Sequence, residues 1–180
     1  MIKTFKLFHG RTRKGLDPAT KGDFGPGLYC TDDHDTACYY ATHLWNPGGF
    51  IYHVKATANW WNTFDLELAR DVLRKHIEEN FGQDWRGYFE EYSQFVGLTS
   101  GDPPGREVWD TLTLADPSSL GKPTQQWLTK RFGYTGIISN FSIGPGKIYL
   151  VFDPSQLHVV KIESVTQEDC RELVDRIRTP

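Results

Sequence analysis

The sequence predicts an α+β domain, and three observations carry that reading. Short apolar-aromatic strands crowd both ends of the chain, helical periodicity occupies the middle, and the two do not alternate in the strict rhythm of a doubly wound sheet. A length of 180 residues and 20.6 kDa is enough for one real core, so residues 1–180 are expected to form a single domain. With 38% hydrophobic and 14% aromatic residues, 6 of them Trp, the chain is built to fold rather than to stay disordered.

Each element has a local reason. Residues 4–8 read as a strand with Phe5, Leu7 and Phe8 apolar, delivering His9-Gly10 at its end. Residues 11–22 are basic and turn-rich and read as an exposed loop. Gly25-Pro26-Gly27 leads into the strand Leu28-Tyr29-Cys30-Thr31, and the two glycines allow a close backbone approach that a Cβ would resist. A helix is expected over 35–44, with Ala37, Tyr40, Ala41 and Leu44 on one face and Asn46-Pro47-Gly48-Gly49 ending it. A strand follows over 50–56, then a helix over 66–81 from the spacing of Leu66, Leu73, Ile77 and Phe81, with Gly82 as a stop.

Residues 84–95 read as another helix, 101–105 as a firm break, and 106–114 fit neither pattern. A helix over 124–132 closes at Gly133. Strands are expected over 134–139, 147–152 and 157–162, then a terminal helix over 167–177 with Cys170, Leu173, Val174 and Ile177 on one face.

Charge and cysteine content narrow the function classes. A net charge of −3 and a pI near 6.1 give no global support to a nucleic-acid partner, although a local site remains compatible. Cys30, Cys38 and Cys170 are odd in number and lack metal-type spacing, which fits a reducing cytoplasm better than a disulfide scaffold. The first residues carry no long apolar stretch and no run reaches membrane-spanning length, so a cytoplasmic protein without membrane contact is expected. No phosphate-binding glycine loop with Lys-Ser/Thr occurs, nor a Gly-x-Gly-x-x-Gly opening a helix. The histidines at 9, 34, 43, 53, 76 and 158 form no metal-type cluster, and no metal is expected. Asp32-Asp33-His34-Asp35 reads as an acidic helix cap, not a ligand set.

Two features read as chemistry, each beside a plainer alternative. His9 could hold a ligand hydroxyl while the Gly10 main chain holds an amide, or it is a strand-end histidine beside a turn glycine. Tyr29 and Tyr40 could converge from strand and helix on a flat ring, or both are core tyrosines with satisfied hydroxyls.

In these residues the chain resembles the ADP-ribosyltransferase superfamily. It is similar to the branch shared by diphtheria-type toxins, poly(ADP-ribose) polymerases and small bacterial or phage proteins. The likeness lies in His9-Gly10, in Gly25-Pro26-Gly27-Leu28-Tyr29, and in Tyr40 eleven positions after Tyr29. It continues in Gly133-Tyr134-Thr135-Gly136-Ile137-Ile138 and in Tyr149-Leu150-Val151-Phe152. The helical middle, 62–131, is matched least.

The resemblance implies a split mixed β-sheet with a helical insertion, NAD as co-substrate, and mono-ADP-ribosyl transfer to a protein or nucleic-acid acceptor. It also implies a toxin or host-modifying role with a neutralising antitoxin as partner. His9 would hold the adenine-ribose hydroxyl, Gly10 the carboxamide, and Tyr29 and Tyr40 the nicotinamide ring, with Arg11, Gly27 and Thr31 completing the NAD site. The catalytic set would be His9, Tyr29 and position 148.

That last position departs from the family pattern. Ile148 stands where many members carry a glutamate that stabilises the developing cation, and isoleucine supplies no charge. Glu107, Gln156 and Glu163 are the candidate substitutes. The loss disfavours chain-building and leaves NAD glycohydrolysis, or a silent NAD-binding module, as alternatives. The superfamily's Arg-Ser-Glu branch fits less well, because neither its Ser-containing strand nor its late Glu-x-Glu is present.

Overall fold

A computed structural model describes residues 2–20, 24–42, 47–81, 86–87, 90–91, 108–109, 121–140 and 145–170. The elements are β1 (Ile2–Arg11), β2 (Leu28–Thr31), α1 (His34–Thr42), β3 (Gly48–Asn62), α2 (Leu66–Phe81), α3 (Lys122–Phe132), β4 (Gly136–Ser139), β5 (Ile148–Val151) and β6 (Leu157–Thr166). The α+β class holds.

Six strands form one mixed sheet in the order β1-β2-β5-β4-β3-β6. An additional β1–β3 pairing joins five of them into a closed, barrel-like ring, with β6 on the other edge of β3. Only β3 and β4 run parallel. β1 and β3 outrun the sequence expectation because they pair residue for residue from Ile2↔Asn59 to Arg11↔Phe50. That ladder supplies partners which local β-propensity alone does not reveal.

Side-chain alternation divides the core. Leu7, Leu28, Cys30, Tyr52, Val54, Trp60, Tyr149 and Val151 share one cluster, the inner face of the ring. Outside it, Ala69, Val72, Leu73 and Ile77 of α2 and Leu128 of α3 pack with Phe24, Trp61, Trp109, Ile137 and Leu150. On a second outer face α1 places Ala37, Cys38 and Ala41 against Ile51, Val165 and Cys170.

Several local signals reappear as geometry. Asp33 caps α1, its carboxylate accepting from the Thr36 amide and hydroxyl at 2.6 Å each. Gly133 ends α3 at φ 70, its N–H bonded to the Thr129 carbonyl.

The cysteine expectation is corrected. Cys38 and Cys170 form a disulfide across a separation of 132 residues, with Cα atoms 5.6 Å apart. Sequence spacing carries no trace of that pairing. Cys30 stays a buried thiol, and burial pushes its pKa up to about 12. The expected break at 101–105, residue Glu107, and the parts of the expected helices at 84–95 and 167–177 beyond 86–87, 90–91 and 167–170 lie outside the described residues. So do the side chains of Leu66 and Phe81. No helix among the described residues is long and apolar enough to cross a membrane.

Candidate functional site

β1 and β2 meet at one residue pair, Phe8↔Thr31. Continued antiparallel pairing would set Gly10 opposite Tyr29, but the strands part, and His9 stands in the seam. Its Nδ1 lies 2.6 Å from the Tyr29 carbonyl oxygen. A carbonyl only accepts, so Nδ1 carries the proton and Nε2 is left as an acceptor. Nε2 is out of solvent and has no hydrogen-bond partner among the described residues.

Burial lowers the His9 pKa to about 4, against a smaller raising effect from the Tyr29 carbonyl and with a lowering contribution from Arg11. The imidazole is therefore neutral at physiological pH. Among the described residues Trp61 Nε1 and Gln156 Oε1 are also buried and without a partner. His9 differs from them in being titratable and in standing where a sheet opens.

Gly10 follows for a steric reason. A Cβ there would collide with the Ala37 carbonyl oxygen and reach 3.0 Å from the Ala41 nitrogen. The glycine thus lets α1 lie directly on β1 and brings the 37–41 turn, which carries Tyr40, beside the seam. Tyr40 is 36% exposed and stands edge-on to Tyr39 at 5.6 Å.

The other expected NAD residues have local duties in this fold. The Tyr29 hydroxyl donates to the Gly25 carbonyl at 2.7 Å and accepts from the Phe24 amide at 2.9 Å, closing the Gly-Pro-Gly turn. Its ring packs on the outer core, whereas His9 shares the inner face with Leu7. The two side chains leave the seam in opposite directions, and what joins them is the bond from imidazole to main chain. The Arg11 guanidinium donates to the Gly15 and Asp17 carbonyls and to the Asp17 carboxylate at 3.0–3.3 Å. Gly27, at φ 146, admits the Val151 carbonyl of β5, only 2.5 Å from where its Cβ would lie. The Thr31 hydroxyl accepts from the Asp33 amide.

Ile148 begins β5, buried between Thr31 and Ser139. The proposed substitutes fall elsewhere. Gln156 precedes Leu157, which is level with Ala56 and hence Phe5, four residues and about 13 Å along β1 from His9.

Glu163 lies on the outer face, in a second cluster that sequence spacing did not expose. Its Oε2 accepts from His53 Nε2 at 2.8 Å and lies 3.3 Å from Lys161 Nζ, and its Oε1 is 3.6 Å from His34 Nε2. The His53 hydrogen bond, foremost, holds the Glu163 carboxyl below its ordinary pKa. Positions 34, 53 and 163 are too far apart to form a motif. The acidic run around His34 was the single local signal, and Asp33 consumes it as a cap.

No family model and no curated protein matches this chain. One solved structure, described as the crystal structure of an anti-CRISPR protein, overlaps it with a TM-score of 0.41 at 15% identity. That overlap covers 89% of this chain and 95% of that chain.

Proposed function

We propose that the chain is an NAD-dependent mono-ADP-ribosyltransferase working from the β1–β2 seam, its sheet a variant of the split ADP-ribosyltransferase-like fold. The supporting observation is His9, a neutral imidazole with a buried acceptor atom that has no donor among the described residues. It stands at the strand end where the resemblance asks for a hydroxyl-binding histidine. A ribose hydroxyl donates to Nε2, and the Gly10 main chain, beyond the last β1–β2 pair, takes the carboxamide. Tyr40 contributes from the α1 turn that touches Gly10. Tyr29 contributes through the turn that its hydroxyl holds.

Nicotinamide leaves from the ribose carbon, and a nucleophile on a protein or nucleic-acid acceptor takes its place and loses a proton. The enzyme's work is to orient NAD and favour the cationic transition state over the ground state. A toxin or host-modifying role, with a neutralising partner, follows from the same resemblance.

Ile148 favours a second reading. A buried isoleucine stabilises no cation, so the seam holds NAD and either passes ADP-ribose to water or performs no transfer.

Labelled NAD incubated with whole bacterial lysate, split into nuclease- and protease-treated fractions, separates these outcomes. Transfer is expected from the native chain and a loss of about tenfold or more in kcat/KM from His9→Ala, the scale of a lost buried hydrogen bond to NAD. Nicotinamide released without labelled macromolecule would establish the hydrolase. NAD turnover equal in the native chain and His9→Ala would remove the seam from consideration.

A further inference from the structure

We infer that His34, His53 and Glu163 form a binding site for one divalent transition-metal ion of the Zn²⁺ class, on the outer face beneath the start of α1. Their donor atoms all lie within 4.8 Å of one another. Two imidazoles and a carboxylate are a donor set of the right softness for such an ion, and three protein ligands leave a coordination position for water. A tetrahedral ion with bonds of about 2 Å holds its donors roughly 3.3 Å apart. Two of the observed separations, 2.8 and 3.6 Å, bracket that value.

Three independent elements converge to make the cluster. His53 projects from β3 opposite Phe8, at a register shift between His53 and Val54 where β6 carries an extra residue, the kind of bulge that re-aims a side chain. Glu163 comes from β6 across the same ladder. His34 opens α1 one turn before Ala37, the residue that Gly10 admits, and so stands over Phe8. The Phe8 ring meets both imidazoles edge-on, at 5.3 Å for His34 and 5.1 Å for His53, and fixes their planes.

Outer contacts suit the role as well. His34 Nδ1 faces the Asp35 carboxylate at 3.9 Å while its Nε2 faces Glu163. This puts a carboxylate on the side of the imidazole away from Glu163. The Cys38–Cys170 disulfide ties α1 to the residues just after β6 and so couples the two elements that carry His34 and Glu163. Side-chain exposures of 28–40% leave a route for an ion to enter. Lys161 Nζ, 3.3 Å from Glu163 Oε2, gives way to the dication. The ion takes the Nε2 lone pair of His53, so the imidazole proton stands on Nδ1 when the metal is bound.

The test uses untagged chain stripped with chelator and titrated with Co²⁺, then Zn²⁺. One equivalent of Co²⁺ is expected to bind with visible ligand-field absorption of a low-coordinate ion, and Zn²⁺ is expected to displace it. His34→Ala and Glu163→Gln should each weaken Zn²⁺ binding by at least about tenfold, while His158→Ala on exposed β6 leaves it unchanged. Both test residues are partly exposed, and circular dichroism confirms that each variant folds. The inference is overturned if the native chain takes up no stoichiometric ion, or if affinity survives both variants. It is equally overturned if His158→Ala abolishes binding. None of these readouts involves NAD.

Discussion

His9 and the His34–His53–Glu163 cluster lie on opposite faces of the same strand pair and show how differently a protein can place histidine. His9 comes from a short local pattern at a strand end, is driven neutral by burial, and keeps an unsatisfied acceptor. The outer cluster has no local pattern, is partly exposed, and gathers its donor atoms within 4.8 Å of one another. An orphaned buried acceptor asks for a donor from outside the chain, whereas an accessible set of two imidazoles and a carboxylate can take a metal. The same residue type therefore points to an organic hydroxyl on one face and to a metal ion on the other.

Gly10→Val should break both regions together. Its side chain would enter the Ala37 carbonyl, so α1 must lift from β1 at a cost of at least about 3 kcal/mol. Urea unfolding is expected to show that loss, and Co²⁺ absorption should disappear with it. Retained metal binding in a fully folded Gly10→Val chain would mean that α1 docking does not assemble the cluster.

His9→Gln separates the two. Above the ordinary histidine pKa of 6.5 the imidazole is neutral in both folded and unfolded chains. As pH falls from 6.5 towards about 4, the unfolded chain takes up a proton that the folded chain refuses, so stability drops. The loss is complete below the folded value and amounts to roughly 3 kcal/mol. Urea midpoints at pH 7.5 and 4.5 should therefore differ less for His9→Gln than for the native chain, with metal binding at pH 7.5 intact. An unchanged pH dependence would show that His9 is not the buried neutral group.

Asp33→Ala has the smallest effect and falls on one side. Loss of the α1 cap should cost about 1 kcal/mol. It should loosen His34 and weaken Zn²⁺ binding modestly, leaving the His9 pH dependence as it was.

Where contacts are local, the sequence was legible. Apolar spacing predicts the helix at 66–81 at its observed bounds, and Gly133 predicts the stop after Phe132. The Asp33 cap is legible because a cap is set within four residues. The strand lengths were less legible. β3 runs on to Asn62 through Trp60-Trp61, whose polar and apolar neighbours make sense only against β1 and β4.

What the sequence determined by itself is the α+β class, the α3 stop at Gly133, the Asp33 cap, and the placement of His9-Gly10 towards the end of β1. Each follows from backbone preferences and side chains a few residues apart. Tertiary structure alone decided the closure of the ring, the seam that isolates His9 Nε2, the Cys38–Cys170 pairing, and the meeting of His34, His53 and Glu163. These depend on strand register and helix docking between residues tens to more than a hundred positions apart. Such distances carry no periodicity, so only the folded chain brings the atoms within reach.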